Sequence, residues 1–210
     1  MRDIVIVGAG GHARVVLDVI RHSDKFNARG FLDTVDRDRH GTMHDGLPVL
    51  GGEEMFAQLI SDGVEYAVVG FGDIPARQQV AERLTLIGFT LATLVHPAAI
   101  IANGVSIGAG TVIFAGAIIN PGTYIGNNVI INTAATLDHD CVIQDHAHIG
   151  PGAHLAGNVT VGERTLIGVG AAVMPNIKIA NDVTVGVGAA VVRDIPRGVT
   201  VVGVPARPIA

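Results

Sequence analysis

From Ile101 onward the chain carries a large aliphatic residue at every sixth position, through Ile107, Ile113, Ile131, Leu137 and Ile149 to Val191, without a gap. Four residues after each of these comes a smaller or β-branched one, such as Val105, Thr111, Ala117, Cys141 or Ala147. Three residues after comes a turn former in most cases, as at Gly104, Gly110, Asn128, Asp182 and Gly188. A helix needs apolar residues at a 3.6-residue spacing and a half-buried strand needs alternation. A period of six satisfies neither over any length. It predicts short strands joined by turns that always bend the same way, which is a parallel β-helix built of hexapeptides. Three hexads close one triangular coil, so residues 18 apart stack on neighbouring coils. With coils about 4.8 Å apart, five to six of them make a prism roughly 25 Å long. Ala134, His146 and Arg164 interrupt the run of turn formers.

The first half of the chain follows a different pattern. Asp3 to Val7 is an apolar run closed by Gly8-Ala9-Gly10-Gly11-His12, and Ala13 to Ile20 has helical spacing. Further strands are predicted at Ala28–Leu32, Tyr66–Val69 and Thr90–Val95, with helices at Glu53–Ile60 and Pro75–Ile87. Strands alternating with helices imply a small parallel, Rossmann-like sheet. Thr34 to Gly46 is polar, rich in His, Asp and Arg, and without periodicity, which predicts a mobile loop. The expected organisation is therefore an α/β domain over residues 1–95 and a β-helix over residues 96–210.

Composition narrows the picture. Hydrophobic residues make up 49% of the chain, but aromatics only 4%, there is no Trp, and Gly occurs 28 times. Few rings and many glycines suit a narrow interior of Ile, Val and Ala. The single cysteine excludes an intramolecular disulfide framework and fits a reducing compartment. A net charge of -5 argues against nucleic acid as a partner. No apolar run reaches the ~18 residues that predict a membrane span. Met1 leads into a charged strand-like segment with no signal-peptide pattern, so a cytoplasmic location is expected.

Chemistry is expected where the repeat is interrupted and at the glycine-rich turn. Gly8, Gly10 and Ala13 meet the permissive form of the dinucleotide fingerprint, and Asp33 lies near the spacing of a ribose-binding acid. About 95 residues give only half a dinucleotide fold, so a mononucleotide or a nucleotide-sugar diphosphate fits this turn better than NAD, and a turn that is merely structural is the remaining reading. In the β-helix, Asp138-His139-Asp140 puts an imidazole at a corner between two carboxylates. A neighbouring carboxylate raises imidazole basicity and fixes its tautomer, as a general base requires. His148 and His154 immediately precede interior positions and should point outward. His22, His40, His44, His146 and His154 read as surface residues, and Cys141 as packing. The spacing of the histidines matches no standard zinc pattern, so no metal is expected.

These features together resemble a known family. The glycine-rich turn with His12, the short sheet domain, the hexapeptide repeats, Asn132-Thr133, Asp138-His139-Asp140-Cys141 and the closing Gly203-Val204-Pro205-Ala206-Arg207 are similar to the acetyl-CoA-dependent N-acetyltransferases of nucleotide-linked 4-amino sugars, and to the related sialic-acid O-acetyltransferase-type proteins. The resemblance implies a left-handed β-helix and a homotrimer, with acetyl-CoA in a groove between solenoids and a nucleotide-linked amino sugar on the sheet domain. It implies His139 as general base with Asp140, or else Asp138, supporting it. It implies His148 near the thioester carbonyl, Gly157 offering an N–H to the oxyanion, and Val169 and Val187 along the pantetheine. Gly10, Gly11 and His12 would cradle phosphates, Asp33 and Thr34 would meet the base or ribose, and Gly70 would lie nearby. Two other readings remain: O-acetylation of sialic acid or another sugar hydroxyl, and a non-catalytic nucleotide-sugar-binding protein. The nucleotide, whether UDP, GDP or dTDP, is left open.

Overall fold

The computed structural model describes residues 1–209, which separate into two compact units, Met1–His96 and the chain from Pro97 onward. The first unit is a six-stranded sheet, built in the order β3-β4-β2-β1-β5-β6. Its strands are β1 (Arg2–Val7), β2 (Phe26–Leu32), β3 (Met43–His44), β4 (Leu47–Gly51), β5 (Tyr66–Val69) and β6 (Thr90–Leu91). All pairs are parallel except β3 with β4. The helices are α1 (Gly11–Arg21), α2 (Phe56–Ser61) and α3 (Ile74–Leu86), and a last short strand, β7 (Leu94–Val95), ends the unit. The central strand β1 has Ile4, Val5, Ile6 and Val7 fully buried, as expected of a parallel strand covered on both faces. Leu17, Val16 and Ile20 on the inner stripe of α1 are also buried. Asp73 caps α3, its Oδ1 accepting from the N–H of Ala76 at 2.9 Å.

The segment after β2 is ordered rather than loose. The side chain of Asp33, 8% exposed, accepts from the N–H groups of Val35 and Asp36 at 3.0 and 2.9 Å. Arg37–Arg39 then forms a 3₁₀ turn, and β3 and β4 form a hairpin. Arg39 donates to the carbonyl of Ala9, and a ring nitrogen of His44 lies 3.3 Å from the carbonyl of Gly10, so this segment folds onto the glycine-rich turn. Its order comes from side chain–backbone bonds, which leave no periodicity in the sequence. Strand β4 went unmarked for a related reason, since Pro48 reads as a strand breaker.

The second unit is a left-handed parallel β-helix. Face one stacks Val112, Ile130, His148, Leu166, Thr184 and Thr200. Face two stacks Ile100, Ile118, Thr136, His154, Ala172 and Ala190. Face three stacks Ser106, Tyr124, Val142, Thr160 and Lys178. The residue after each of these points inward, and Ile113, Ile119, Ile125, Ile131, Leu137, Ile143 and Ile149 are all 0% exposed. Interior threonines are satisfied by the next coil: Thr111 Oγ1 donates to the carbonyl of Gly126 at 2.8 Å and accepts from Val129 N–H at 3.0 Å. The interruptions at Ala134, His146 and Arg164 do not change the backbone, with φ of 56°, 63° and 56°, in the same left-handed region as Asn128 at 51°. The repeated turn imposes its conformation even on residues that disfavour it. At one edge, Arg164 and Arg197 both bind Asp182. No helix among the described residues is long and apolar enough to cross a membrane.

Candidate active site

His139 follows strand Thr136–Leu137 of face two and stands on the edge that leads to face three. Its loop is held from the preceding coil. The N–H of Asp140 donates to the carbonyl of Pro121 at 3.0 Å. Thr123 Oγ1 donates to the carbonyl of Asp138 at 3.0 Å and accepts from Cys141 N–H at 3.3 Å. Asp138 Oδ1 accepts from the side chain of Asn120 at 2.9 Å and from the N–H of His139 at 2.8 Å. These contacts pin the backbone on both sides of the imidazole.

The ring itself is oriented by Asp140, whose Oδ2 lies 2.9 Å from His139 Nδ1. The two carboxylates thus have different partners, Asp140 the ring and Asp138 the backbone. The hydrogen bond that His139 Nδ1–H donates to Asp140, assisted by the charge of Asp138, raises the His139 pKa above its ordinary value. The N–H of His139 and the side chain of Asn120 hold Asp138 below the usual carboxylate range. With Nδ1–H committed to Asp140, Nε2 carries the lone pair. A Cβ built on Gly157, one coil further, would stand 2.5 Å from that Nε2. On the other side, a Cβ on Gly122 would meet the carboxylate of Asp140. Two glycines, one coil before and one coil after, therefore make room for the pair. No protein group among the described residues accepts the N–H of Gly157.

A groove of about 490 Å³ lies along face two beside this edge, lined by Asn120, Thr136, Asp138, His154, Ala156 and Ala172. His154 is exposed, with Nδ1 2.9 Å from Thr136 Oγ1. Val169 and Val187 stand on the edge between faces one and two, 48% and 76% exposed. Face two thus runs between the His139–Gly157 edge and the Val169–Val187 edge. His148 is elsewhere: it lies on face one, across the prism from the edge that carries His139, with Nε2 3.2 Å from Asn132 Nδ2. A single chain does not bring His139 and His148 together. Cys141 is fully buried as packing, and burial raises its pKa.

In the first unit, Gly10 and Gly11 open α1, and the space around both is empty to 4 Å where a Cβ would be. His12, in the first turn of α1, is pushed down to about 4 by burial and by the nearby cation Arg77. Arg77, 1% exposed, is itself lowered to about 10 by burial. Asp33 is largely spent on its own loop, with Oδ2 3.9 Å from Arg39. Thr34 follows it, half-buried. Gly70 ends β5 against α1, where a Cβ would crowd Ile6 and Ala13 at 2.8 and 3.0 Å. Gly70 therefore has a packing reason to be glycine.

The sequence reading did not single out Asn120, Gly122 or the groove-lining role of Thr136 and His154. The signal was present in the period, because Asn120 and Gly122 lie 18 positions before Asp138 and Asp140.

Residues 3–84 match the family model described as the PglD N-terminal domain. Residues 122–157 and 140–172 match the bacterial transferase hexapeptide, six repeats. The acetyltransferase domain of PglB from Neisseria gonorrhoeae is 36% identical, with a TM-score of 0.92 and complete coverage of both chains. The chain belongs to the family of bacterial nucleotide-linked amino-sugar N-acetyltransferases. Another member of this N-acetyltransferase family, PerB of Caulobacter crescentus, whose structure is in complex with CoA and GDP-perosamine, is 38% identical with a TM-score of 0.94. That match covers 100% of this chain and 98% of the other. UDP-N-acetylbacillosamine N-acetyltransferase of Bacillus subtilis is 40% identical over 116 residues, which span 53% of this chain and about half, 51%, of that relative.

Proposed function

We propose that this protein transfers the acetyl group of acetyl-CoA to the 4-amino group of a nucleotide-linked amino-deoxysugar, directly and without an acyl-enzyme. The observation that carries the reading is the His139–Asp140 pair, with Nδ1 at 2.9 Å from the carboxylate and Nε2 facing the coil of Gly157. The structures of similar proteins with CoA and GDP-perosamine, or with acetyl coenzyme A, support the two substrates.

The neutral sugar amine attacks the thioester carbonyl, forming the C–N bond. His139 Nε2 accepts the proton that the nitrogen sheds. The N–H of Gly157 faces the developing oxyanion, where a fixed donor acts more strongly than in water. The C–S bond then breaks, and CoA thiolate leaves and takes the proton from the imidazolium. Val169 and Val187 would line the pantetheine. Gly10, Gly11 and His12 would receive the diphosphate of the acceptor, a role suited to an uncapped helix N-terminus. Asp33, Thr34 and Gly70 would meet the nucleoside, with Asp33 contributing mainly through the loop it organises.

The active assembly in this reading is a homotrimer. His148 lies across the prism from His139 within one chain, so His148 would reach the thioester from an adjacent copy.

Release of CoA thiol is the deciding measurement, with acetyl-CoA and a panel of UDP-, GDP- and dTDP-linked 4-amino sugars beside free sialic acid. Product resistant to mild alkali, as an amide is, supports N-transfer. An alkali-labile product would identify an ester and O-transfer, and no thiol release with any acceptor would overturn catalysis.

A further inference from the structure

Helix α1 places Asp18 and His22 one turn apart on the same face, as any i, i+4 pair is. The unit's last residue, His96, following β7, comes down on that face. Nε2 of His96 lies 3.7 Å from Asp18 Oδ2, and Nδ1 of His22 lies 3.5 Å from Oδ1 and 2.9 Å from the carbonyl of Asp18. The two imidazole rings are 5.0 Å apart, inclined at 48°. One ligand atom from each of the three residues lies within 4.8 Å of the other two.

These separations have a particular size. An N···O distance of 3.5 to 3.7 Å is too long for a hydrogen bond between a ring nitrogen and a carboxylate. Two ligands on one tetrahedral zinc ion, each bonded at about 2.0–2.1 Å, stand roughly 3.3 Å apart. The two imidazoles therefore approach one carboxylate at nearly the spacing that a shared cation sets, and His22 Nδ1, which donates to the carbonyl of Asp18 at 2.9 Å, would exchange that hydrogen bond and its proton for the ion. Asp18 is fairly exposed but His96 is 9% exposed, so one side of the cluster is shielded from water. The neighbouring cations do not compete for the carboxylate: Arg21 is bonded to Asp45 at 2.9 Å, and Arg14 also faces Asp45.

We propose that Asp18, His22 and His96 form a site for one divalent ion of the zinc class, with water completing a four-coordinate shell. Two imidazoles and one carboxylate select zinc, cobalt or nickel over magnesium or calcium, which prefer oxygen. The ion would tie the C-terminal turn of α1 to the end of β7, and α1 is the helix whose other end carries Gly10 and His12. It takes no part in acyl transfer, so the proposal stands whether or not the proposed reaction does.

The test uses the full-length protein without a histidine tag, stripped with chelator. Calorimetric titration with zinc should give one ion per chain with Kd on the order of 10 µM or tighter. Cobalt at the same stoichiometry should show the intense visible bands of a tetrahedral ion. His22→Ala and the isosteric Asp18→Asn should each weaken binding about 100-fold, while His139→Ala binds as the wild type does. Zinc should raise Tm in the wild type and not in Asp18→Asn. Absence of binding below about 1 mM, or binding that His139→Ala abolishes and Asp18→Asn leaves unchanged, overturns the site. Should His22→Ala fail to fold, Asp18→Asn decides alone.

Discussion

Nε2 of His139 and the α-carbon of Gly157 leave no space between them for a methyl group, since a Cβ on Gly157 would stand 2.5 Å from the ring. The obstacle is the end of an exposed side chain, so Gly157→Ala should fold with a Tm close to wild type. The ring must swing away, however, and a displacement near 1 Å at a reacting group is costly. We expect kcat to fall about 10–100-fold with little change in KM for acetyl-CoA, read by thiol release alongside thermal melting.

Removal of the base should be more severe. His139→Ala is expected to lower turnover by about 10²–10⁴, the usual worth of general base catalysis, with the fold intact by circular dichroism. Near-normal kcat would remove His139 from the mechanism.

The pH profile tests the role of Asp140 separately. His139 must be neutral to accept a proton, and its pKa is raised mainly by the hydrogen bond to Asp140. Activity should therefore fall on the acid side at a pH above that of an ordinary imidazole, about 6.5. In Asp140→Asn that acid limb should move to lower pH while the plateau drops. An unmoved limb would mean that the carboxylate does not set the basicity of the base.

Asn120 acts at one remove. It bonds Asp138 Oδ1, which holds the N–H of His139. Asn120→Ala should cost about 1 kcal/mol of stability, the typical worth of one hydrogen bond, and should lower kcat several-fold. Because the Asp140 contact survives, the acid limb of the pH profile should shift little, which separates this substitution from Asp140→Asn.

His12 predicts an acid sensitivity of folding. Its folded pKa is about 4 and its unfolded value about 6.5. Between those values the unfolded chain binds the extra proton, so stability falls as pH falls through this window. The loss should be on the order of 2–3 kcal/mol by pH 4. Urea denaturation at pH 7.5 and pH 4.5 should show a smaller pH-dependent loss in His12→Asn than in the wild type. An equal loss would mean that His12 is not buried neutral.

The sequence carried the β-helix almost completely, because its physical rule is local and repeats every six residues. Ile113 and Ile119 announce the same inward direction that Ile143 and Ile149 do, and all four are fully buried. The corner at His139 was legible for the same reason. What the pattern did not distinguish was the division of labour between Asp138 and Asp140, since both flank the imidazole and only side-chain geometry assigns one to the ring. The first unit was less transparent. Strand β4 and the order of residues 34–46 depend on contacts such as Arg39 with Ala9 and His44 with Gly10, between residues some thirty positions apart. The histidines at 40 and 44 read as solvated, yet His40 Nε2 lies 2.8 Å from the carbonyl of Asp33, and the ring of His44 packs edge-on against Phe31.

The stacking of His139 over Gly157, and of Asn120 beneath Asp138, gives the second unit something like a reading frame. One residue inserted between Cys141 and Asn158 would turn every inward side chain of that coil outward. Six inserted residues would keep the core but carry Gly157 around to a different face, away from the imidazole. Eighteen would add a whole coil and slide the downstream faces along the axis with their alignment unbroken. Length changes before Asn120 or after Asn158 should therefore be tolerated in whole coils, whereas any change between His139 and Gly157 separates the base from the backbone it faces, and one between Asn120 and Asp138 breaks the contact that holds its loop.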